Sequence, residues 1–385
     1  MDFKEWFCLK ERNSFTIDPK INPGDARFYF GRHEIKAHLK AQLVRSFVDP
    51  GVPKMVIYGS YGSGKTQTLY HLEYLLYNEP PKSLKFKPKT VDVVLEMQSK
   101  SNHLDWHLQL MEALGKETVT KWVETLFSKV ENLDQVLGGV LQDYNLIQAV
   151  KNLRGGGDIP LLAWRWLSSQ KLSAGDLQRL QLTRNLGDVG AGDMVNVLVG
   201  LGRLAEQNGE KLIFLMDEGE TFQNVRNPDA VESVHNYLRK LAEPQNSSVG
   251  FLISSYSLTV DDMPEGLTRQ DVRTRIGVNN YVEIFPLPSV KDVQRFIREL
   301  LSELIDQGAA EKRIQEGSLA TTLETYPLSA DAFDLLCEYA SQDPAKSLPR
   351  TIIRTLNECA IYAWDENKLV VDTPIVNEVA PMIFG

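Results

Sequence analysis

The chain has 385 residues, 43% hydrophobic and 24% charged, with 42 Lys and Arg against 51 Asp and Glu and a net charge of −9. This excludes bulk electrostatic attraction to nucleic acid or an anionic membrane, though not a local basic stripe, and suits one large module with a smaller one. Three cysteines (Cys8, Cys337, Cys359) without CxxC spacing, a start with no apolar signal core, and no apolar run near the roughly 18–20 residues of a membrane span predict a soluble cytoplasmic protein without disulfides or structural zinc.

Residues 1–27, punctuated by Pro19, Pro23 and Gly24, read as an N-terminal arm. From His33 to Phe47, Ile35, Leu39, Leu43 and Val44 recur at helical spacing. The β-type run Met55–Tyr58 then feeds a glycine-rich segment, Gly-Ser-Tyr-Gly-Ser-Gly-Lys-Thr at 59–66, followed by a helix to Tyr77 with Leu69, Leu72, Leu75 and Leu76 on one face. Further strands are expected at Val91–Met97, Leu212–Met216, Val249–Ser254 and Tyr281–Phe285, which together predict a five-stranded parallel α/β sheet with helices on both faces. The uniformly apolar Leu212–Met216 is the pattern of a strand buried on both faces.

More than one hundred residues separate the second and third strands, too many for one crossover, and they read as a helical insert at about 101–205 broken at Gly155, Gly156 and Gly157. Its Trp164-Arg165-Trp166-Leu167 cluster fits core packing. After Pro286 and Pro288 the pattern turns all-helical. Ser289 with Asp292 forms an N-cap pair, Val290, Val293, Ile297, Leu300 and Leu304 form the stripe, and Gly308 ends it. Helices near Ala330–Ala340 and from Pro349 complete a small all-α lid domain, giving boundaries of 1–27, 28–286 and 287–385.

The segment 59–66 has the context of a phosphate-binding loop: strand, glycine-rich turn, helix. Gly59, Gly62 and Gly64 let backbone N–H groups of Ser60, Tyr61 and Ser63 wrap phosphate oxygens with φ values that a β-carbon would forbid. The following helix offers its positive end to the anion. Lys65 supplies a point charge to the β and γ phosphates of ATP, and Thr66 a hydroxyl to Mg²⁺. Asp217 and Glu218 end the third strand at the sheet's ligand-binding edge, where Asp217 suits Mg²⁺ through water and Glu218 suits a general base. Glu220, past Gly219, ranks behind Glu218. Ser254 or Ser255, ending the fourth strand, could touch the γ-phosphate or cap the next turn.

Together these pieces resemble the AAA+ superfamily over residues 28–385. Walker A matches 59–66, Walker B 212–218, and the sensor-1 strand end 254–255. Ser347-Leu348-Pro349-Arg350 resembles sensor 2, which implies that Arg350 reaches the nucleotide. Phe30-Gly31-Arg32 resembles the box that borders the adenine. Arg273 and Arg275 fall where the resemblance implies an arginine finger, without deciding which. Asp271 to Leu287 is most similar to the origin-recognition, helicase-loader and transposition-regulator group. The chain stops about 35 residues after sensor 2, leaving no room for that group's winged-helix DNA-binding domain. The long insert before Walker B instead resembles bacterial phage-defence ATPases of the bacteriophage-exclusion type.

The resemblance implies an ATP-hydrolysing, Mg²⁺-dependent switch that assembles with itself or with a partner protein such as an effector or nuclease. A DNA-binding loader is the alternative, and a chain that binds ATP without hydrolysing it a third reading, opposed by the intact Lys65, Thr66, Asp217 and Glu218. The best support for DNA is Lys82, Lys85, Lys87 and Lys89, read as a basic loop, yet such loops are usually only solvated and the net charge disfavours DNA.

Overall fold

The computed structural model describes residues 1–49, 51–130 and 132–384. Its strands are β1 (Lys54–Gly59), β2 (Lys87–Val94), β3 (Glu210–Asp217), β4 (Val249–Tyr256) and β5 (Tyr281–Glu283). The helices begin with α1 (Phe3–Trp6), α2 (His33–Ser46), α3 (Lys65–Asn78), α4 (His103–Leu114), α5 (Lys116–Lys129), α6 (Leu133–Leu141) and α7 (Tyr144–Asn152). Next come α8 (Ile159–Leu167), α9 (Ala174–Arg179), α10 (Ala191–Gln207), α11 (Pro228–Leu241), α12 (Glu265–Thr268) and α13 (Gln270–Ile276). The series ends with α14 (Val290–Leu304), α15 (Gln307–Gly317), α16 (Ala330–Ser341), α17 (Pro349–Asp365) and α18 (Thr373–Phe384).

The strands form one five-stranded parallel sheet in the order β2-β3-β4-β1-β5. β3 and β4 have apolar runs because neighbours flank them and both faces are covered: Leu212 to Met216 and Val249 to Ile253 are buried. β4 meets the entrance of β1 where the Phe251 N–H donates to the Pro53 carbonyl at 2.8 Å. Val94 is level with Asp217, and Met216 with Ile253, so the acidic end of β3 stands at the carboxyl edge of the sheet.

The chain divides into two compact units. One comprises Met1–His38, Gly59–His71 and the chain from Ile284 onward; the other comprises Leu39–Tyr58 and Leu72–Glu283. In the sheet-bearing unit, the helices between β2 and β3 share a single core with the sheet: Trp106, Trp122 and Trp166 belong to the same buried cluster as Leu212, Phe214 and Phe251. Trp166 is buried and Trp164 packs partly against that cluster, as core residues should.

In the other unit, the N-terminal residues are built into the core. Phe3, Phe7 and Phe15 join the cluster formed by α14, α16, α17 and α18, the Lys10 N–H donates to the Leu304 carbonyl, and the Trp6 indole donates to the Lys368 carbonyl. Ser289 caps α14 as expected, accepting from the Asp292 N–H. The buried face of α14 is Val293, Phe296, Ile297, Leu300, Leu301 and Leu304, whereas Val290 is exposed. Gly308 does not end this helix: α14 stops at Leu304, and Asp306 caps α15 by accepting from the Ala309 N–H, with Gly308 in its first turn.

Two strand boundaries differ from expectation. β2 begins at Lys87 instead of Val91 and ends at Val94 instead of Met97, so Lys87 and Lys89 lie on a strand, not in a basic loop. The strand is at the sheet's edge, and lysine and Pro88 there blunt its unpaired backbone against other chains. β5 covers only Tyr281–Glu283 of the expected Tyr281–Phe285. Among the described residues, no helix is long and apolar enough to cross a membrane.

His107 lies fully buried on α4, between the Tyr237 hydroxyl at 2.9 Å and the Leu167 carbonyl at 2.8 Å. Burial pushes its pKa down from 6.5 to about 4, against the Leu167 hydrogen bond that favours the cation. The unfolded chain therefore binds more protons between these two values, and this contribution to stability is present above pH 6.5 and lost as pH falls toward 4. Between pH 7 and pH 5 the loss should be about 2 kcal/mol. Urea unfolding at the two pH values should show it in the wild type, and His107→Gln should have a flatter pH dependence by that amount; equal slopes would contradict the assignment.

Candidate functional site

β1 is buried throughout and delivers Gly59 to a position that admits no side chain: a β-carbon there would stand 2.2 Å from the Ile284 carbonyl oxygen and 2.8 Å from Ser63 Oγ. Gly59 is thus required by close approach, not by its φ. Gly62 and Gly64 carry φ of 78° and 96°, the left-handed region that disfavours a β-carbon. The loop closes on itself through the Ser63 N–H to the Ser60 carbonyl at 3.2 Å, and Lys65 Nζ donates to the same carbonyl at 3.0 Å. The hydroxyls of Ser60 and Ser63 are buried and lack a hydrogen-bond partner among the described residues. Thr66 follows in the first turn of α3, and Thr68 ties that turn back by donating from N–H and Oγ1 to the Gly64 carbonyl, each at 2.9 Å.

A strap from the N-terminal region holds this turn in place. Gln67 Nε2 donates to the carbonyls of Asp25 and Phe28 at 2.8 and 2.6 Å, and His71 Nδ1 donates to the Ala26 carbonyl at 2.9 Å. Tyr29 shares a 3.0 Å hydroxyl contact with Thr68 and stacks on His71. Arg32, buried, donates from Nη2 to the Phe285 carbonyl at 2.7 Å and lies beside Gly64. Burial pulls its guanidinium pKa down, opposed by the charge and hydrogen bond of the Tyr29 hydroxyl. Sequence reasoning found Phe30-Gly31-Arg32 but missed Gln67 and Tyr29, whose partners are backbone groups or side chains distant in the chain.

Arg350 is in the first turn of α17, after Pro349. Its Nη1 donates to the Tyr61 hydroxyl at 2.7 Å, and its Cζ is 5.1 Å from the centre of the Tyr61 ring. A β-carbon on Gly62 would be 3.5 Å from Cβ of Arg350. The structure therefore gathers Gly59 to Thr66 and Arg350 in one cluster of the same unit.

In the sheet-bearing unit, Asp217 is 5% exposed at the end of β3, and the Ser254 hydroxyl donates to its Oδ1. Ser255, the other serine at this strand end, is also buried, and its hydroxyl lacks a hydrogen-bond partner among the described residues. Glu218 is exposed and left-handed, at φ 64° and ψ 36°, a conformation that costs a non-glycine residue about 1–2 kcal/mol. Glu220 Oε2 accepts from the Tyr256 N–H at 2.8 Å, so it secures the end of β4. Arg273 and Arg275 lie on the short helix α13, in the connection between β4 and β5. Arg273 Nη1 is 3.3 Å from Asp261 Oδ1, with its guanidinium 5.8 Å from the centre of the Tyr281 ring; Arg275 Nη1 donates to the Asp271 carbonyl one turn back.

No family model and no curated protein matches the sequence. Solved structures do match. The ORC2 protein of Aeropyrum pernix, in ADPNP–ADP complexes, aligns with a TM-score of 0.54 at 13% identity over 99% of this chain and 71% of that one. Cdc6p of Pyrobaculum aerophilum aligns with a TM-score of 0.50 at 11% identity over 95% and 71%. The chain has the AAA+ fold that these structures share.

Because Glu220 accepts the Tyr256 N–H, Glu220→Ala should lower unfolding stability by about 1 kcal/mol, read from urea denaturation. Unchanged stability would show that this hydrogen bond does not hold the end of β4.

Proposed function

We propose that this chain is a Mg²⁺-dependent ATPase used as a switch, whose nucleotide state controls assembly with itself or with a partner protein. The observation that carries the reading is the loop at 59–66. Close approach at Gly59, left-handed turns at Gly62 and Gly64, buried serine hydroxyls that have no partner among the described residues, and Lys65 folded onto the loop make a cradle suited to phosphate oxygens. The ORC2 protein of the same fold is bound to ADPNP and ADP, which supports a nucleoside polyphosphate as the ligand here.

In this reading Lys65 and Arg350 bind the terminal phosphates, and Thr66 and Asp217 hold the metal. Mg²⁺ supplies positive charge against the phosphate oxygens. Ser254 fixes the Asp217 carboxylate through its hydroxyl, and exposed Glu218 takes the proton of the attacking water. Arg273 or Arg275 acts on the site of a neighbouring copy. The Arg273–Asp261 pair suits a group that changes partner, since Asp261 is 82% exposed and such surface pairs contribute little.

The biological setting we infer is a bacterial defence or mobile-element system in the cytoplasm, with an effector or nuclease as partner. It rests on the resemblance of the long insert. An ATP-dependent DNA-binding loader is the second reading, supported by the origin-recognition fold; a salt-dependent shift of duplex DNA in the presence of ATP would favour it.

Saturating Mg²⁺ and ATP, at about a hundred times Kd, should stabilise the fold by about 2.7 kcal/mol, seen as a raised Tm. Lys65→Ala should remove most of that rise, and an unchanged rise would overturn the loop assignment. Glu218→Gln should retain the rise while phosphate release falls by on the order of 10²–10⁴. Wild-type turnover in Glu218→Gln would exclude it as the base.

A further inference from the structure

Tyr61 is the large side chain at the tip of the loop, and it is 69% exposed. An aromatic ring this open contributes nothing to a core, so its place needs another explanation. Its contact with Arg350 supplies one. The Tyr61 hydroxyl accepts from Nη1 at 2.7 Å, and the guanidinium carbon stands 5.1 Å from the ring centre. The two contacts restrain different things. The hydroxyl fixes one nitrogen in position, and the ring attracts the cation through its negative face.

We propose that Tyr61 is a positioning residue that holds the Arg350 guanidinium at the loop, so that it meets the terminal phosphate of a nucleoside triphosphate already oriented. The proposal rests on reading 59–66 as the triphosphate loop. An arginine free in solvent samples many rotamers, and binding through it must first immobilise it. Pro349 is in the first turn of the helix, and a β-carbon on Gly62 would stand 3.5 Å from the Arg350 Cβ, so the base of the side chain is already set against the loop. Tyr61 then restrains the far end. It takes up a single N–H of a group that has five, leaving the remaining donors for phosphate oxygens. Having accepted from Arg350, the Tyr61 hydroxyl also keeps its own proton to donate. The arrangement favours ligands with phosphates beyond the first, and offers nothing to a monophosphate that does not extend to Arg350.

The test is calorimetric titration of ATP and of AMP, each with Mg²⁺, into the full chain as wild type, Tyr61→Phe, Arg350→Ala and the double variant. Tyr61→Phe keeps the ring and removes the hydroxyl, so it is a mild change; its melting temperature verifies folding. ATP affinity should fall by about 3–10-fold in Tyr61→Phe, AMP affinity should be unchanged, and Tyr61→Phe should have no further effect once Arg350 is alanine. In turnover, the change should appear in KM more than in kcat. Equal loss for ATP and AMP, or the same loss in the Arg350→Ala background, would show that Tyr61 merely shapes the loop and would overturn the proposal. Unchanged ATP affinity in Tyr61→Phe would overturn it too. A wild-type chain that binds ATP no better than Lys65→Ala would instead defeat the reading of the loop, and this inference with it.

Discussion

A β-carbon at residue 59 would collide with the carbonyl oxygen of Ile284, and the strand-to-helix turn follows from that exclusion. Because the chain leaves β1 with only a hydrogen facing that carbonyl, it can pass close by and turn at once. Left-handed glycines at 62 and 64 complete the turn, and Thr68 closes the first turn of α3 onto Gly64. The strap at Asp25, Ala26, Phe28 and Tyr29 binds Gln67, Thr68 and His71 just after the loop. A flexible loop would spend binding energy on its own ordering; this one is held by hydrogen bonds on its helical side and by α17 at Gly62.

The acidic strand end separates two carboxylates by backbone geometry. Asp217, still in the β conformation, is buried and oriented by the Ser254 hydroxyl. Glu218, one residue later, turns left-handed and reaches solvent. A held carboxylate suits a metal or its water, and an exposed one suits proton transfer, which is the division of labour proposed above. Glu220 is engaged with the Tyr256 N–H, so its role in the fold is to brace β4.

Much of the fold could be read from sequence where one physical requirement dominated. Leu212 to Met216 is buried on both faces and is apolar without interruption, and Met55 to Tyr58 likewise. β2 was harder, since an edge strand tolerates Lys87, Pro88 and Lys89, which read as loop residues when the neighbouring strand is unknown. The helix at Gln307–Gly317 was missed because Gly308 in its first turn resembles a stop signal, while the cap that starts the helix is Asp306. At the candidate site, glycine spacing marks the loop and a proline marks the start of the lid helix. The Tyr61–Arg350 pair spans 289 positions and has no local signature, and Ser254 rather than Ser255 reaches Asp217 because alternate side chains of a strand face opposite ways.

The central claim is that the loop hydrolyses ATP with an arginine contributed by a second copy. Its most direct test is phosphate release from a mixture of two variants, Lys65→Ala and the double variant Arg273→Ala/Arg275→Ala. Each should be inactive alone, since arginine fingers contribute about 10³–10⁵ in rate. Mixed assemblies would contain interfaces that pair an intact loop with an intact arginine, so activity should partly return. Full activity of the arginine variant by itself, or a mixture no more active than its parts, would contradict the shared site.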